Sequence, residues 1–282
     1  MRRPLLLAVA VLAFATTACY PWVKPSGDAP LRYRDQVFAA NTVTSNIEYG
    51  TAVDQLGNTV SLKMDVYRPT GDSVTSRPAI VWVHGGSFCC GNKTSPEIVD
   101  EAQTFARQGF VSASISYRLH PSGCSAGGPT ATCVTAIQQA AEDARTAIRY
   151  LRTNASTYGI DTTRIAIAGT SAGAISAMNV AFDVPNAESS VRAAVSLSGA
   201  KIFGSAGPGD AATLLFHGTA DVVVPYQWAV NTNNEAKAAN LHSFLISWDG
   251  AGHVPYAQNR AQILDHQTNF FWWEMDLAHA AK

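Results

Sequence analysis

Arg164-Ile165-Ala166-Ile167-Ala168-Gly169-Thr170-Ser171-Ala172-Gly173-Ala174-Ile175-Ser176-Ala177 decides how this chain folds. Its first five residues read as a short buried strand, and the residues from Ala174 to Ala181 read as a helix. Gly-x-Ser-x-Gly stands between them, and a strand, this turn and a helix together form a nucleophile elbow. The turn holds Ser171 in a strained backbone conformation. Side chains at positions 169 and 173 would collide with the strand and the helix, and glycine removes those collisions. Ser171 is thereby presented at the carboxyl end of a sheet, beside a helix N-terminus.

A serine hydroxyl is a poor nucleophile at neutral pH. It needs a base within hydrogen-bond reach, and the base needs an orienting carboxylate. Downstream, the strand-like run Thr213–Phe216 leads into His217-Gly218-Thr219-Ala220-Asp221. A further strand, Ser243–Trp248, leads into Asp249-Gly250-Ala251-Gly252-His253. In a parallel sheet all these loops emerge at one edge, where ligands bind. Among the seven histidines, His253 is therefore the candidate base and Asp221 its candidate partner. Asp249 competes with Asp221 but lies on the same loop as His253, only four residues before it. His217 reads as a residue that fixes the acid loop. Ser176 and Ser198 lie near glycine or helix but in no elbow, and read as packing and turn residues.

The run Ala79-Ile80-Val81-Trp82-Val83 reads as another buried parallel strand, ending in His84-Gly85-Gly86-Ser87-Phe88. A tetrahedral intermediate of acyl transfer carries an oxyanion that preorganised N–H groups must hold. Gly86 and Ser87 on this loop and Ala172 on the elbow helix are the expected donors. His84 reads as a loop-fixing residue.

These motifs together resemble the α/β-hydrolase superfamily, in particular its carboxylesterases of the hormone-sensitive-lipase-like and feruloyl/acetyl-xylan-esterase-like kinds. The resemblance runs over roughly residues 45 to 278 and rests on His84-Gly85-Gly86, Ser116-Tyr117-Arg118-Leu119, Glu142-Asp143-Ala144, Tyr158–Ile165, His217–Asp221 and Gly250–His253. Ser87 stands where the family's oxyanion loop usually has a third glycine, and Ala174 where a glycine often follows the elbow. The resemblance implies a Ser-Asp-His machine that hydrolyses carboxylic esters with no metal or cofactor. The same fold and triad also serve peptidases and amidases, and a surface lipoprotein without catalysis is the non-enzyme alternative.

Strands alternating with helices predict a doubly wound, mostly parallel α/β sheet. Asn46–Val53 and Thr59–Tyr67 flank Gly57-Asn58 and read as an antiparallel hairpin at its start. Pro96–Gln108 reads as a helix ended by Gly109, Phe110–Tyr117 as a strand, Val134–Asn154 as a long helix and Val191–Ser198 as a strand. The interval from Lys201 to Ala212 is too short for a folded cap, so an open or lightly covered cleft is expected, suited to short acyl chains or to esters on bulky bodies.

Met1-Arg2-Arg3 and the apolar stretch Leu5–Ala15 read as a secretion signal over residues 1–18. Thr16-Thr17-Ala18-Cys19 resembles a lipoprotein cleavage box with Cys19 lipidated, although a threonine replaces the usual aliphatic residue. Ordinary secretion is the alternative. Residues 19–44, with Pro21, Pro25, Gly27 and Pro30, read as a tether or loose arm, and 45–282 as the catalytic domain. Export predicts disulfides among Cys89, Cys90, Cys124 and Cys133. Cys124–Cys133 is the favoured pair. Cys89 and Cys90 are adjacent, where a bridge is strained, and either could instead reach Cys124 or Cys133. The spacing does not suit zinc. With a net charge of −1 and no basic runs, nothing points to nucleic acid. The expected partner is an ester, small or polymer-borne, with membrane tethering through Cys19.

Overall fold

Alternation along Arg77–Val83 sets the layering. Ala79, Val81 and Val83 point into one apolar cluster, and Ile80 and Trp82 into the other. Successive strand side chains point to opposite faces, so a strand apolar at every position needs cover on both sides. In the computed structural model, which describes residues 23–124, 130–182 and 187–280, helices supply that cover.

The strands are β1 (Asn41–Val53), β2 (Thr59–Pro69), β3 (Arg77–Val83), β4 (Val111–Ser116), β5 (Ile160–Thr170), β6 (Ala193–Leu197), β7 (Ala212–Gly218) and β8 (Ser243–Trp248). The helices are α1 (Pro96–Gln108), α2 (Ala131–Thr153), the short α3 (Ala155–Tyr158), α4 (Ala172–Ala181), α5 (Tyr226–Ala238), α6 (Tyr256–Glu274) and the short α7 (Leu277–Ala280). The strands form one sheet in the order β1-β2-β4-β3-β5-β6-β7-β8. β1–β2 and β2–β4 are antiparallel, and every pair from β4–β3 to β7–β8 is parallel. Helices α2, α4 and α5 pack on one face, and α1 and α6 on the other. This is the α/β-hydrolase fold expected from the sequence, antiparallel hairpin included.

Every residue of α4 is buried. Its alanines and Gly173 let the helix lie close under the sheet. Helix α1 has a proline in its first turn and ends at Gly109, whose φ of 113° suits glycine. The Cys124–Cys133 disulfide joins the loop after β4 to the start of α2. Nearby, Arg118 on that loop donates to the buried Asp143 of α2 and to Val53 O of β1. That ion pair ties the hairpin, the loop and the helix together.

The expected loose arm differs from what is seen. Its described part, residues 23–44, is docked along the body. Tyr33 is fully buried, edge-on to Phe110, and its N–H donates to Gln108 O. The end of the arm is already strand, because β1 begins at Asn41. The arm's polar sequence hid a buried aromatic and the ion pair of Arg32 with Asp72. The signal segment and Cys19 lie outside the described residues.

Asp72 accepts from Arg32 (3.0 Å), from Arg77 (2.6 Å) and from the Val74 N–H. Burial alone would raise its pKa, but these donors outweigh it and hold the carboxyl down at about 2. A depressed folded pKa stabilises the fold above the unfolded value, near 3.8, and the benefit is lost as pH falls through about 2. Asp72→Asn should therefore destabilise the protein at neutral pH, by about 3 kcal/mol, because two guanidinium groups lose their counter-charge. It should also flatten the fall in stability between pH 4 and 2. Urea unfolding of both proteins across that range measures both effects.

Candidate active site

Ser171 joins β5 to α4 with φ 52° and ψ −117°, a conformation that L-residues rarely adopt. It is held there by its own N–H, which donates to Leu197 O of β6, and by its carbonyl, which accepts from Ile175 N–H. Neither elbow glycine has a positive φ, and each is needed for space. A Cβ on Gly173 would lie 2.0 Å from Val83 O, and one on Gly169 would lie 2.5 Å from Gly173 C.

Three side chains meet at the carboxyl edge of the sheet. His253 Nε2 lies 2.7 Å from Ser171 Oγ, and His253 Nδ1 lies 2.7 Å from Asp221 Oδ2. Strands β5, β7 and β8 run parallel, so the turns after them emerge side by side, and residues 82 and 32 positions apart from His253 come into contact. Asp221 accepts from four directions: His217, His253, and the N–H groups of Val223 and Val224. Burial opposes its charge, but these donors prevail and keep the carboxyl well below the usual range, hence ionised at neutral pH. An ionised acceptor at Nδ1 fixes that nitrogen as the N–H and leaves Nε2 as the acceptor facing Ser171. His217, fully buried, also donates from Nε2 to Val224 O, at 2.9 Å, and so braces the acid loop as its place in the sequence suggests. Asp249, the competing acid, instead accepts from Thr219 Oγ1.

The loop after β3 runs beside the elbow. A Cβ on Gly85 would lie 3.2 Å from Ser171 Cβ, so the loop passes within contact of the serine. Gly86, Ser87 and Phe88 all have positive φ. That turn is braced from below and from the side. His84 stacks on Tyr117 with ring centroids 4.3 Å apart, and its Nδ1 lies 2.6 Å from Gly85 O. Burial pushes His84 down to about 4, so it is neutral and serves as a brace. The loop after β4 donates from Cys124 N–H to Ser87 O and from His120 N–H to Phe88 O. Ala172 opens α4, where an N–H has no acceptor within the helix and the positive end of the helix dipole adds to it.

One residue read from the sequence only as a packing and turn residue braces the site. Ser198, after β6, is fully buried with φ 58°, and its Oγ accepts the N–H of Val254 at 3.0 Å. Val254 follows His253, so Ser198 fixes the backbone on which the imidazole turns. Only the Ser-Gly pair at a strand end hinted at a special role. Phe88, Tyr117, Trp82 and Tyr256 are core residues, whereas Tyr226 and Trp228 remain partly exposed.

Family models match in two overlapping stretches, BD-FAE over residues 64–196 and Phospholipase/Carboxylesterase over residues 132–267. The chain is 37% identical over 117 residues to a phenmedipham hydrolase of Pseudarthrobacter oxydans, covering 41% of this chain and 22% of that protein. It is 29% identical over 161 residues to a probable isoprenylcysteine alpha-carbonyl methylesterase of Oryza sativa subsp. japonica, covering 57% of this chain and 32% of that one. The chain thus spans about a fifth to a third of the length of these relatives. Esterase 2 of Thermogutta terrifontis, in a form phosphoramylated by tabun, superposes with a TM-score of 0.65 at 22% identity, over 89% of this chain and 98% of that one. The chain has the α/β-hydrolase fold, and both family models that match it describe hydrolases of that fold. Within it, the chain is similar to carboxylesterases in both sequence and fold.

The packing of Gly173 gives a direct test. Gly173→Ala should drive α4 away from Val83 O, lower stability by about 3 kcal/mol or more, and misplace Ser171. Urea unfolding measures the first effect. The rate at which a fluorophosphonate labels Ser171 measures the last.

Proposed function

We propose that the protein is a serine carboxylic-ester hydrolase. The observation that carries this reading is the continuous chain Ser171 Oγ–His253–Asp221 beside a glycine loop and a helix N-terminus. Ser171 attacks the ester carbonyl as its proton passes to His253 Nε2. Asp221, ionised, holds the imidazole tautomer and stabilises the imidazolium. The N–H groups of Gly86, Ser87 and Ala172 hold the oxyanion. His253 then protonates the leaving alcohol, and in the second half-reaction takes a proton from the water that releases the acid.

Short acyl chains are the proposed substrates. Residues 201–211, after β6, contain no helix or strand, and Val222 and Val223 stand exposed beside Asp221. No folded cap stands in that interval to bury a long chain. Related structures of the Thermogutta esterase hold butyrate and propionate, which supports the same reading. We further propose export through the N-terminal segment, with Cys19 as a lipid anchor.

Hydrolysis of a 4-nitrophenyl ester series from acetate to palmitate tests the proposal. Activity should peak at the short end. A peak at long chains would overturn the open-cleft reading. Ser171→Ala should abolish turnover while the unfolding curve stays nearly unchanged, and undiminished activity would remove Ser171 from its role. Asp221→Asn should lower kcat by roughly 10⁴ with the fold retained, because the imidazole then takes the wrong tautomer.

A further inference from the structure

Cys89 and Cys90 have no partner in the chemistry described so far. Their Sγ atoms lie 2.8 Å apart, well inside the contact distance of two sulfurs and within reach of a bond of about 2.05 Å. Neither bonds to Cys124 or Cys133, which are paired with each other. Cys90 is exposed and Cys89 half-buried. Among the described residues, no group of three His, Cys, Asp or Glu side chains is placed to hold a metal ion, so the pair stands as a dithiol.

The pair also sits on the turn that carries Gly86 and Ser87. The N–H groups of Cys89 and Cys90 both donate to Gly86 O at 3.0 Å, and Cys89 Sγ approaches the same oxygen at 3.4 Å. Gly86 is in turn pressed against the Cys90 carbonyl, where an added Cβ would lie 2.1 Å from the oxygen. On the other side, a Cβ on Gly123 would lie 2.4 Å from Ser87 O and 2.9 Å from Cys89 Cβ. With its outer walls fixed in this way, the turn cannot absorb a change at the Cys89–Cys90 peptide without moving Gly86.

We propose that Cys89 and Cys90 are a thiol–disulfide exchange site for small-molecule disulfides, and that closing the bond between them slows acyl transfer at Ser171. The proposal rests on reading Gly86 and Ser87 as the oxyanion loop. In the first step the exposed Cys90 thiolate attacks one sulfur of a disulfide RSSR. A Cys90–SR bond forms, and RS⁻ leaves and takes up the proton given up by Cys90. In the second step the Cys89 thiolate attacks Cys90 Sγ, the Cys90–SR bond breaks, and a second RSH departs with the proton from Cys89. The two protein thiols are oxidised by two electrons in all, and RSSR is reduced to two RSH. The hydrogen bond with Cys90 raises the pKa of Cys89, which fits Cys90 as the first attacker. Bond formation pulls the sulfurs together and turns the intervening peptide. That turn displaces the N–H groups now held on Gly86 O, and with them the Gly86 and Ser87 amides.

The test treats the purified protein with oxidised glutathione, then with dithiothreitol at a dose that leaves Cys124–Cys133 closed. Trypsin gives separate peptides for the two pairs, Met64–Lys93 and Leu119–Arg145, since Arg68 and Arg77 precede prolines. After oxidation, Met64–Lys93 should be two hydrogens lighter and resist alkylation by iodoacetamide, and dithiothreitol should restore it. The kcat for 4-nitrophenyl acetate should fall roughly tenfold, with KM changed far less, because misaligning one oxyanion donor costs part of the ~10²–10³ that its removal costs. Fluorophosphonate labelling of Ser171 should slow by a similar factor. Cys90→Ser should keep the reduced-state rate under both treatments. A glutathione adduct that persists on Cys90 with no internal bond would overturn the proposal, and so would a closed bond with unchanged rates. If the protein hydrolyses no ester at all, the esterase reading fails by itself. The peptide mass and the labelling rate would still decide the exchange site.

Discussion

The approach of α4 to the end of β3 is the constraint on which the rest of the site depends. Gly173 lies against Val83 O and His84 O, closer than any residue with a Cβ could come. That contact brings the N-terminus of a buried helix up to the glycine loop that continues β3. It also forces the turn between β5 and α4 to be sharp, which puts the left-handed φ at Ser171. Serine orientation, helix dipole and loop amides are therefore not independent features. They follow from one steric contact between backbone atoms.

Around this contact, charge does the positioning. Asp221 is buried yet ionised, because two histidines and two backbone N–H groups face it. An isolated buried carboxylate would take up a proton, and the imidazole would lose its orienting partner. Three further buried or half-buried ion pairs, Arg118–Asp143, Arg32–Asp72 and Arg77–Asp72, hold irregular segments to the sheet. Each fixes a loop or arm that has few regular hydrogen bonds of its own. The loop after β4 matters most here, since its N–H groups hold Ser87 and Phe88 from outside.

Much of this was legible in the order of residues. The Gly169–Gly173 motif between a β-rich and an alanine-rich stretch announced the elbow. The apolar runs before His84, Asp221 and His253 placed their loops at strand ends. The hairpin's turn and second strand, α1 with Gly109 and strand β8 came out at or near their expected bounds, because their signals are local: turn residues, a capping glycine, a short β-branched and aromatic run. Where the signal was not local, the reading was shorter than the structure. Strand β5 begins at Ile160, since polar Asp161–Arg164 continue a strand whose apolar part starts only at Ile165. Strand β1 begins at Asn41 because β2 offers it partners. The polar, proline-bearing arm read as loose, yet Tyr33 and Arg32 dock it.

The sequence by itself determined most of the strands, their mostly parallel sense and the candidate serine, acid and histidine, since each depends on periodicity, glycine placement and chain order. Only the tertiary structure decided that His253 stands 2.7 Å from both partners, that Ser198 carries the backbone beside it, and that the two adjacent cysteines share the turn with Gly86. The physical reason is the same in each case. Hydrogen bonds and close packing between residues far apart in the chain are fixed by how strands and helices stack, and no local pattern of residue types records those distances.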